Sequence, residues 1–440
     1  MKKLNKLFAI LVAMAMVLSL TAISAFATWE EDLAGKFETD LSKAVITKKM
    51  DVPEGVTAPT ATFYFNVTPT VWPGQNASPA VAAPTIDATK AKIEFTTGSD
   101  KTGDQIGVLP LSDLFKLSGT GANITSPGTY EFTVSEYDNT ASENHPVSTF
   151  SKVGDNNDVE EMKYDTTTTY TLRMYIVEGT DGLEPKAITV QKGTDSADAN
   201  KKVDPKDEIV EIPGTEGNPA TYQHNGSEFL FTNYYTKKLV DDTNGAYYIQ
   251  KTLDGSADSN AKYPFDITIT LDQQTIDNAG TADIKLAGYI DNNSDAKTEV
   301  VVNKTARTAT FTGIKLGKDQ KFVFREFPAG ATVKVEEKLS TSGIQNQDKY
   351  TQTLTNLTAE AAAGQTNPAN TTAAGFDLVA NSPVINAKNQ NAVVQNKLDA
   401  SQITPEGILI SNLPYIALAL VAIGGLVAYV VIRRRNADEA

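Results

Sequence analysis

The feature of this sequence that most constrains its fold is a two-residue alternation of apolar and polar side chains in short runs. The clearest runs are ATFYFNVTP (61–69), TYEFTVSEY (129–137), TTYTLRMYIV (168–177), SEFLFTNYY (227–235), PFDITITL (264–271), KFVFREF (321–327) and ATVKVEE (331–337). Alternation with a period of two turns one face of a strand towards a core, and the helical period is nearly absent from this region. The pattern predicts an all-β fold class, built as sandwiches of two packed sheets.

One strand-like run, KAVITKKMDV (43–52), aims a lysine at its own apolar face. Lys48 is in phase with Ala44, Ile46 and Met50, whereas Lys49 falls on the opposite face. Burying an ionised ammonium group without a partner is among the most costly events in folding. An inward lysine at this position therefore indicates a buried partner or a chemical role.

The same three polar residue types point inward in each half of a weak internal repeat. KKMDVPEG near residue 50 resembles KTLDGSAD near 253, PGTYEFTVSE (127–136) resembles PAGATVKVEE (328–337), and FLFTNYY (229–235) resembles AVVQNKL (392–398). The repeat predicts two tandem immunoglobulin-like β-sandwich domains, at residues 40–238 and 245–400. The polar residues in phase with apolar neighbours are Lys48, Glu136, Asn233, Lys251, Glu337 and Asn396.

A lysine, a glutamate and an asparagine buried together can react with one another. In an apolar core the pKa of a lysine falls, so a neutral and nucleophilic amine becomes available. The same burial raises the pKa of a glutamate, whose protonated carboxyl can polarise the asparagine amide and relay protons. Attack of the amine on the amide carbon expels ammonia and leaves a Lys–Asn isopeptide bond. Two other interpretations stay open: buried Lys–Glu ion pairs, and partly exposed residues at strand ends.

The composition disfavours several classes of function. The chain has no cysteine, two histidines, and 54 acidic against 39 basic residues, with a formal net charge of −15. Disulfides are therefore absent, nucleic-acid binding is disfavoured, and no cofactor or transition-metal site is expected. No Ser-His-Asp set is expected either, so the chain is not expected to be an enzyme beyond a single-turnover bond formation. The acidic loops at 154–161 and 254–260 lack an EF-hand spacing and are interpreted as solvated turns and not as calcium sites.

Both ends of the chain carry segments typical of export and anchoring. Residues 1–27 have a basic start, an apolar run and the small-x-small pattern Ala25-Phe26-Ala27, which predicts a secretory signal peptide. Residues 413–432 are apolar, uncharged and long enough to form a transmembrane helix, and Arg433–Arg435 follow at once. The region between these segments is therefore expected to be secreted to the cell surface.

At the residues in question the sequence resembles the streptococcal pilin isopeptide-linkage family, the domain type of the major backbone pilins of Gram-positive bacteria. The resemblance covers most of residues 40–240, through ITKKMDV, TYEFTVSEY, YDTTTTYTLRMYI (164–176) and FLFTNYY. The second half, 245–400, resembles the same or a collagen-binding B-type module more faintly. The resemblance implies two isopeptide bonds, each with a catalytic glutamate: Lys48–Asn233 with Glu136, and Lys251–Asn396 with Glu337.

The sequence departs from the family in the first domain. Lys49 adjoins Lys48 and is the alternative bonded lysine, although strand phase favours Lys48. The domain is also long for the family, with its excess in loops at 138–163 and 180–226. Lys237 and Lys238, placed just beyond its last strand, are either exposed candidates for joining subunits or solvated linker charges.

Residues 401–440 are expected to form a cell-wall sorting signal. ITPEG (403–407), the apolar span 413–432 and the basic tail stand in the order that such a signal needs. The pentapeptide resembles those that sortases cut before a final glycine, which places the cut between Glu406 and Gly407. It departs from the usual form because a glutamate stands where a threonine normally forms the acyl intermediate. A simple single-span tail is the alternative interpretation.

Together these features predict a structural surface protein, a wall-anchored pilus shaft subunit assembled by a sortase. Its expected partners are the sortase, other pilin subunits in a covalent polymer, and peptidoglycan. The alternative function is a wall-anchored adhesin that presents the long loops of the first domain to a host surface ligand.

Overall fold

The chain folds into two compact units. The computed structural model describes residues 36–96, 102–140, 146–155, 157–193, 201–212, 221–291, 297–359, 377–399, 415 and 417–431. Unit 1 contains the described residues up to Lys238 together with Asp272–Gly280. Unit 2 contains Leu239–Leu271 and the described residues from Thr281 onwards.

Alternation of buried and solvent-facing residues produces the strands of the first part of the chain. Along the first eight residues of β2, every second side chain is buried, as a strand with one core-facing side requires. The strands are β1 (Val45–Asp51), β2 (Thr60–Val71), β3 (Lys92–Phe95), β4 (Gln105–Pro110), β5 (Gly128–Glu136), β6 (Thr149–Ser151), β7 (Val159–Lys163), β8 (Thr169–Gly179), β9 (Gly182–Lys192), β10 (Lys202–Val203), β11 (Ile209–Ile212), β12 (Thr221–His224) and β13 (Leu230–Val240).

Unit 1 is a sandwich of two sheets that bury aromatic residues between them. In one sheet β1 lies between β4 and β13, and β7 pairs antiparallel with β13. The other sheet has the order β10-β9-β8-β5-β2-β3, with β6 also paired to β2. Phe65 of β2 and Phe231 of β13 meet across the core with ring centroids 5.3 Å apart. Burying one such side chain contributes about 1.5–3 kcal/mol to folding, so contacts of this kind hold the two sheets together.

The strands of the second part of the chain follow the same pattern. They are β14 (Tyr247–Gly255), β15 (Tyr263–Thr270), β16 (Lys285–Ile290), β17 (Lys297–Val301), β18 (Thr308–Leu316), β19 (Lys321–Phe324), β20 (Glu326–Pro328), β21 (Thr332–Lys338), β22 (Tyr350–Thr355), β23 (Thr358–Ala359), β24 (Asp377–Asn381) and β25 (Ala392–Leu398). One sheet of unit 2 has the order β17-β16-β19-β14-β25-β22, and the other has the order β18-β15-β21-β24-β23. Phe311 of β18 and Phe322 of β19 meet between the sheets, with ring centroids 5.4 Å apart.

In both units the first strand pairs in parallel with the last. β1 runs beside β13, with Lys48 opposite Phe231 and Met50 opposite Asn233. On their other sides, β1 pairs antiparallel with β4, β14 with β19, and β25 with β22. β14 and β25 form the corresponding parallel pair in unit 2. Each unit therefore brings the two ends of its own chain segment side by side.

Helical structure is sparse, and the all-β prediction is confirmed. A short α-helix, α1 (Gln273–Ala279), begins where the Asp272 side chain accepts the backbone N–H of Thr275 at 2.7 Å. Three-residue 3-10 helices lie at Leu111–Asp113, Leu339–Thr341 and Gln347–Lys349.

The segments predicted for export and anchoring are only partly described. Residues 417–431 are helical and exposed, inside the predicted span 413–432. Among the residues that the structure describes, no helix is long and apolar enough to cross a membrane. The predicted signal peptide, residues 1–27, and the pentapeptide at 403–407, with Glu406 and Gly407, lie outside the described residues.

Candidate functional site

The first candidate site lies inside unit 1, where three polar side chains from three strands converge. Lys48 comes from β1 and Asn233 from the adjacent β13, and neither has any exposed surface. Both side chains point to the same face of the sheet, because Asn233 lies opposite Met50, which is in phase with Lys48. Glu136, the last residue of β5, reaches them from the opposite sheet.

The carboxylate of Glu136 bridges the lysine and the asparagine. Lys48 Nζ donates to Glu136 Oε2, and Asn233 Nδ2 donates to Glu136 Oε1 at 2.6 Å. Asn233 Oδ1 accepts the backbone N–H of Asp165 at 2.8 Å. The ring centroid of Phe63 lies 4.8 Å from Lys48 Nζ. Every oxygen of the carboxylate and of the amide is thus engaged by a donor.

Burial moves the pKa values of both ionisable groups towards their neutral forms. Desolvation lowers the pKa of Lys48 to about 8, against the charge and hydrogen bond of Glu136, which act in the opposite direction. Desolvation likewise raises the pKa of Glu136, against the opposing effects of Lys48 and Asn233. Both shifts lower the free-energy cost of moving a proton from lysine to glutamate, a transfer that yields a neutral amine beside a protonated carboxyl.

A second site in unit 2 has the same composition. Lys251 of β14, Glu337 of β21 and Asn396 of β25 all have no exposed surface. Lys251 Nζ lies 2.8 Å from Glu337 Oε1, and Asn396 Nδ2 donates to the same oxygen at 2.9 Å. The ring of Tyr263 lies 4.6 Å from Lys251 Nζ, and burial lowers the pKa of this lysine to about 8.

The two sites match strand for strand. Lys48 is opposite Phe231, two residues before the asparagine, and Lys251 is opposite Val394, again two residues before the asparagine. In the facing sheets, Glu136 lies opposite Phe65 and Glu337 lies opposite Phe265. Two residues earlier on those strands are the rings that face the lysines, Phe63 and Tyr263. The internal repeat of the sequence therefore corresponds to a repeated three-dimensional site.

Two further groups take part, and sequence reasoning missed both. In unit 2, Gln352 of β22 is buried and donates from Nε2 to Glu337 Oε2 at 3.0 Å. The sequence could have indicated this residue, because Gln352 lies two positions after Tyr350 and both side chains therefore face the core. In unit 1 the added group is the backbone N–H of Asp165. A backbone donor leaves no mark on residue type, so no sequence pattern could have indicated it.

The structure separates the two adjacent lysines of β1. The Lys49 side chain is 29% exposed and its Nζ lies 2.8 Å from Asp104 Oδ2, whereas the Lys48 side chain is fully buried. Of these two lysines, only Lys48 contacts Glu136. The alternation of β1 therefore places Lys48, and not Lys49, next to the asparagine and the glutamate.

Two expectations about surface residues of unit 1 are wrong. The loop at 154–161 is not a fully solvated turn, because Asp158 and Glu160 are buried. Glu160 accepts the backbone N–H of Gly154 at 2.6 Å, and Asp158 forms an ion pair with Lys237 at 3.4 Å. Lys237 and Lys238 lie within β13 and not beyond it, and the Lys237 side chain is only 12% exposed, whereas Lys238 is exposed as expected. These contacts give the buried carboxylates partners in a loop that sequence alone assigns to solvent.

The remaining polar candidates do not form a further centre. The described part of the chain contains no group of three or more His, Cys, Asp or Glu side chains placed to hold a metal ion. His224 lies on β12, and its Nδ1 is 2.5 Å from Oδ2 of Asp207. His145 lies outside the described residues.

Comparisons with known proteins give a family match for part of unit 2 and a set of similar solved structures. A family model described as a domain of unknown function (DUF7601) matches residues 246–377. No match is found among curated protein sequences.

The similar solved structures are those of pilus proteins. A major pilin of Streptococcus pyogenes serotype GAS13637 is 18% identical at a TM-score of 0.26, covering 83% of this chain and 100% of the pilin. Another major pilin of Streptococcus pyogenes is 15% identical at a TM-score of 0.26, covering 81% of this chain and 99% of the pilin. The pilus-presented adhesin Cpa is 10% identical at a TM-score of 0.21, covering 80% of this chain and 100% of the adhesin. At these scores the functional conclusion depends on the chemistry of the two sites.

Proposed function

We propose that this chain is a structural protein of the cell surface, a pilus shaft subunit whose two units each close with a self-formed Lys–Asn isopeptide bond. The observation that carries the proposal is the pair of matching buried Lys, Glu and Asn sites, each joining the first strand of a unit to its last. Ion pairs alone are a weaker explanation, because the asparagine is fully buried beside the lysine and the glutamate in both sites.

The chemistry needs only groups that the two sites contain. Glu136 takes a proton from Lys48, and the neutral Nζ attacks the side-chain carbonyl carbon of Asn233. The Nζ–Cγ bond forms and the Cγ–Nδ2 bond breaks. The carboxyl delivers its proton to the leaving Nδ2, which departs as ammonia, and takes up the second proton that Nζ loses as it becomes an amide nitrogen. The glutamate returns to its carboxylate form when it gives this second proton to the released ammonia, which leaves as ammonium, so it acts as a proton relay in a single turnover. Lys251, Glu337 and Asn396 carry out the same sequence in unit 2.

A bond of this kind suits a subunit under tension. A chain without cysteine has no disulfide to reinforce it. A bridge between the first and last strands lets a pulling force pass through covalent bonds and bypass the sheets. The proposed partners are a sortase, further copies of the subunit in a covalent polymer, and peptidoglycan, with the C-terminal segment as the sorting signal.

The proposal is tested by the intact mass of the recombinant ectodomain, residues 28–400. We expect a mass lower than the sequence mass by two ammonia molecules, one for each site. Digestion and mass spectrometry should then recover Lys48 linked to Asn233 and Lys251 linked to Asn396. An ectodomain with the unaltered sequence mass would rule out the isopeptide chemistry and leave the two sites as buried ion pairs.

A further inference from the structure

The two sites differ in what the asparagine carbonyl oxygen contacts. In the first site, Asn233 Oδ1 accepts the backbone N–H of Asp165 at 2.8 Å. In the second site, Asn396 Oδ1 is buried and has no hydrogen-bond partner among the described residues. Gln352, the extra polar side chain of that site, is directed at the carboxylate of Glu337 and not at this oxygen. The two carbonyl groups are therefore in different environments although the three side chains match.

The carbonyl oxygen is the atom on which charge develops during the proposed reaction. When the lysine nitrogen attacks Cγ, the C=O double bond opens and Oδ1 becomes a tetrahedral oxyanion. A donor that is already in place beside that oxygen stabilises the charge without any cost of reorganisation. The Asp165 nitrogen lies 2.8 Å from Oδ1 in the unreacted site, and this N–H does not titrate, so it is available at every pH at which the amine is neutral.

The chain on both sides of Asp165 is anchored to the strand that carries the asparagine. Before it, β7 pairs with β13, with Lys163 opposite Tyr234. After it, Oδ1 of the Asp165 carboxylate accepts the backbone N–H of Thr168 at 3.0 Å, at the entry to β8. Tyr170 of β8 donates from its hydroxyl to the backbone oxygen of Leu230 at 2.9 Å. The N–H is thus held in place by a turn that its own side chain closes.

We propose that the backbone N–H of Asp165 is an oxyanion donor that accelerates formation of the Lys48–Asn233 bond, and that the Asp165 carboxylate is a positioning group that holds this N–H in place. The inference rests on the proposed function, because it concerns the rate of that reaction. The alternative is that the hydrogen bond merely satisfies a buried oxygen, as most buried polar atoms require. Only the rate of bond formation separates these two roles.

The test measures both bonds in the same molecule over time. The full ectodomain is made in a cell-free system and quenched in acid at intervals, and the trypsin-resistant, folded fraction is digested. The cross-linked Lys48–Asn233 and Lys251–Asn396 peptides are then quantified. The rate at which the second bond forms is the internal reference for the rate of the first. Three substitutions are compared: Asp165→Pro, Asp165→Ala and Asp165→Asn.

The three variants separate the backbone donor from the side chain. Proline and alanine both lack the carboxylate, but only proline lacks the N–H, so we expect Asp165→Pro to form the first bond about 100-fold more slowly than Asp165→Ala. Asparagine and alanine are both uncharged, but only asparagine can accept the Thr168 N–H. We therefore expect Asp165→Asn to form the first bond several-fold faster than Asp165→Ala. The second-site bond should form at one rate in all three.

Each outcome decides the inference. Equal first-bond rates in folded Asp165→Pro and Asp165→Ala would overturn it. If unit 1 of the proline variant does not fold, the test uses the asparagine and alanine variants. Equal rates of first-bond formation in these two variants would then overturn the inference. Failure of the proposed function is a distinct result, because the unsubstituted chain would then form neither bond.

Discussion

At the scale of single residues, Lys48 and Lys251 are defined by an environment that strand phase alone imposes on them. Each has no exposed surface, an aromatic ring near the ammonium group and an ion pair with a buried glutamate. Such a position destabilises the charged amine and favours a nucleophile. The residue whose burial costs the most free energy is therefore the one to which we assign the nucleophilic role.

The adjacent lysines of β1 provide a matched pair of substitutions. Lys48→Ala should leave the ectodomain lighter than its own sequence mass by one ammonia molecule, because only the unit 2 bond can then form. Lys49→Ala should still lose two, since Lys49 faces Asp104 at the edge of the core. Glu136→Ala should behave like Lys48→Ala, because without the carboxyl the proton relay is lost. Intact mass spectrometry checks all three, and a missing first bond in Lys49→Ala would contradict the assignment of Lys48.

The buried lysine should also make stability depend on pH when no bond can form. In an Asn233→Ala variant, Lys48 keeps a folded-state pKa of about 8 against an unfolded value of 10.5. Between these values the unfolded chain binds more protons, so the free energy of unfolding rises with pH. The gain from pH 8 to 10.5 is at most about 3 kcal/mol at 1.36 kcal/mol per pKa unit.

Urea denaturation of this variant at pH 7, 8, 9 and 10 measures the effect. The control is the double variant Lys48→Met, Asn233→Ala, which keeps the other titrating groups and lacks the lysine. Because burial raises the pKa of Glu136 above 4.5, that group acts in the opposite direction as its own pKa is passed, and it is present in both proteins. Identical pH profiles for the two proteins would mean that Lys48 does not titrate in this window.

At the scale of the strands, the sequence predicted the faces of β1, β5 and β13 because a period of two leaves only one choice once the apolar face is known. Lys48, Glu136 and Asn233 followed from that choice. What could not be predicted were contacts set by how loops cross the strands. Asp165 acts through its backbone, and Asp158 is buried because Lys237 on β13 lies beside it. Residue type reports the face of a strand but not the identity of its neighbour in space.

The parallel pairing of first and last strands determines how much the first bond stabilises unit 1. A bridge from β1 to β13 closes a loop that contains almost the whole unit, and the chain-entropy estimate for so long a loop is about 5 kcal/mol. Asn233→Ala, which keeps the Lys48–Glu136 pair, should lower the free energy of unfolding of unit 1 by roughly that amount. Asn396→Ala serves as the control, since it should weaken unit 2 and leave unit 1 unchanged. Denaturant titration, read by protease resistance of each unit, checks the prediction, and a loss near 1 kcal/mol would indicate a hydrogen bond and no covalent bridge.

At the scale of the whole molecule, each of the two units contains its own Lys, Glu and Asn site, and one proposed bridge per unit is the arrangement expected of a subunit in a fibre under tension. We expect cell-wall extracts of the native host to contain this protein in a ladder of high-mass bands, with residues after the sorting cut removed. Peptide sequencing of the mature C-terminus checks this, and cleavage after Glu406 is the expected position. A host strain lacking its sortases is the control and should show one band only. Release by detergent alone, with residues 413–435 still attached, would show that the protein is held by a membrane segment.

The parallel pairing of β1 with β13, and of β14 with β25, also limits when each proposed bond can form during biosynthesis. Because each reacting asparagine lies on the last strand of its unit, no bond can form until the ribosome has completed that unit. An exported chain passes through its channel as an extended polymer, and a unit already closed into a covalent ring cannot be drawn out to that state. If the proposed bonds form, we therefore expect secretion to precede closure, and we expect folding in the cytoplasm to block delivery of the protein.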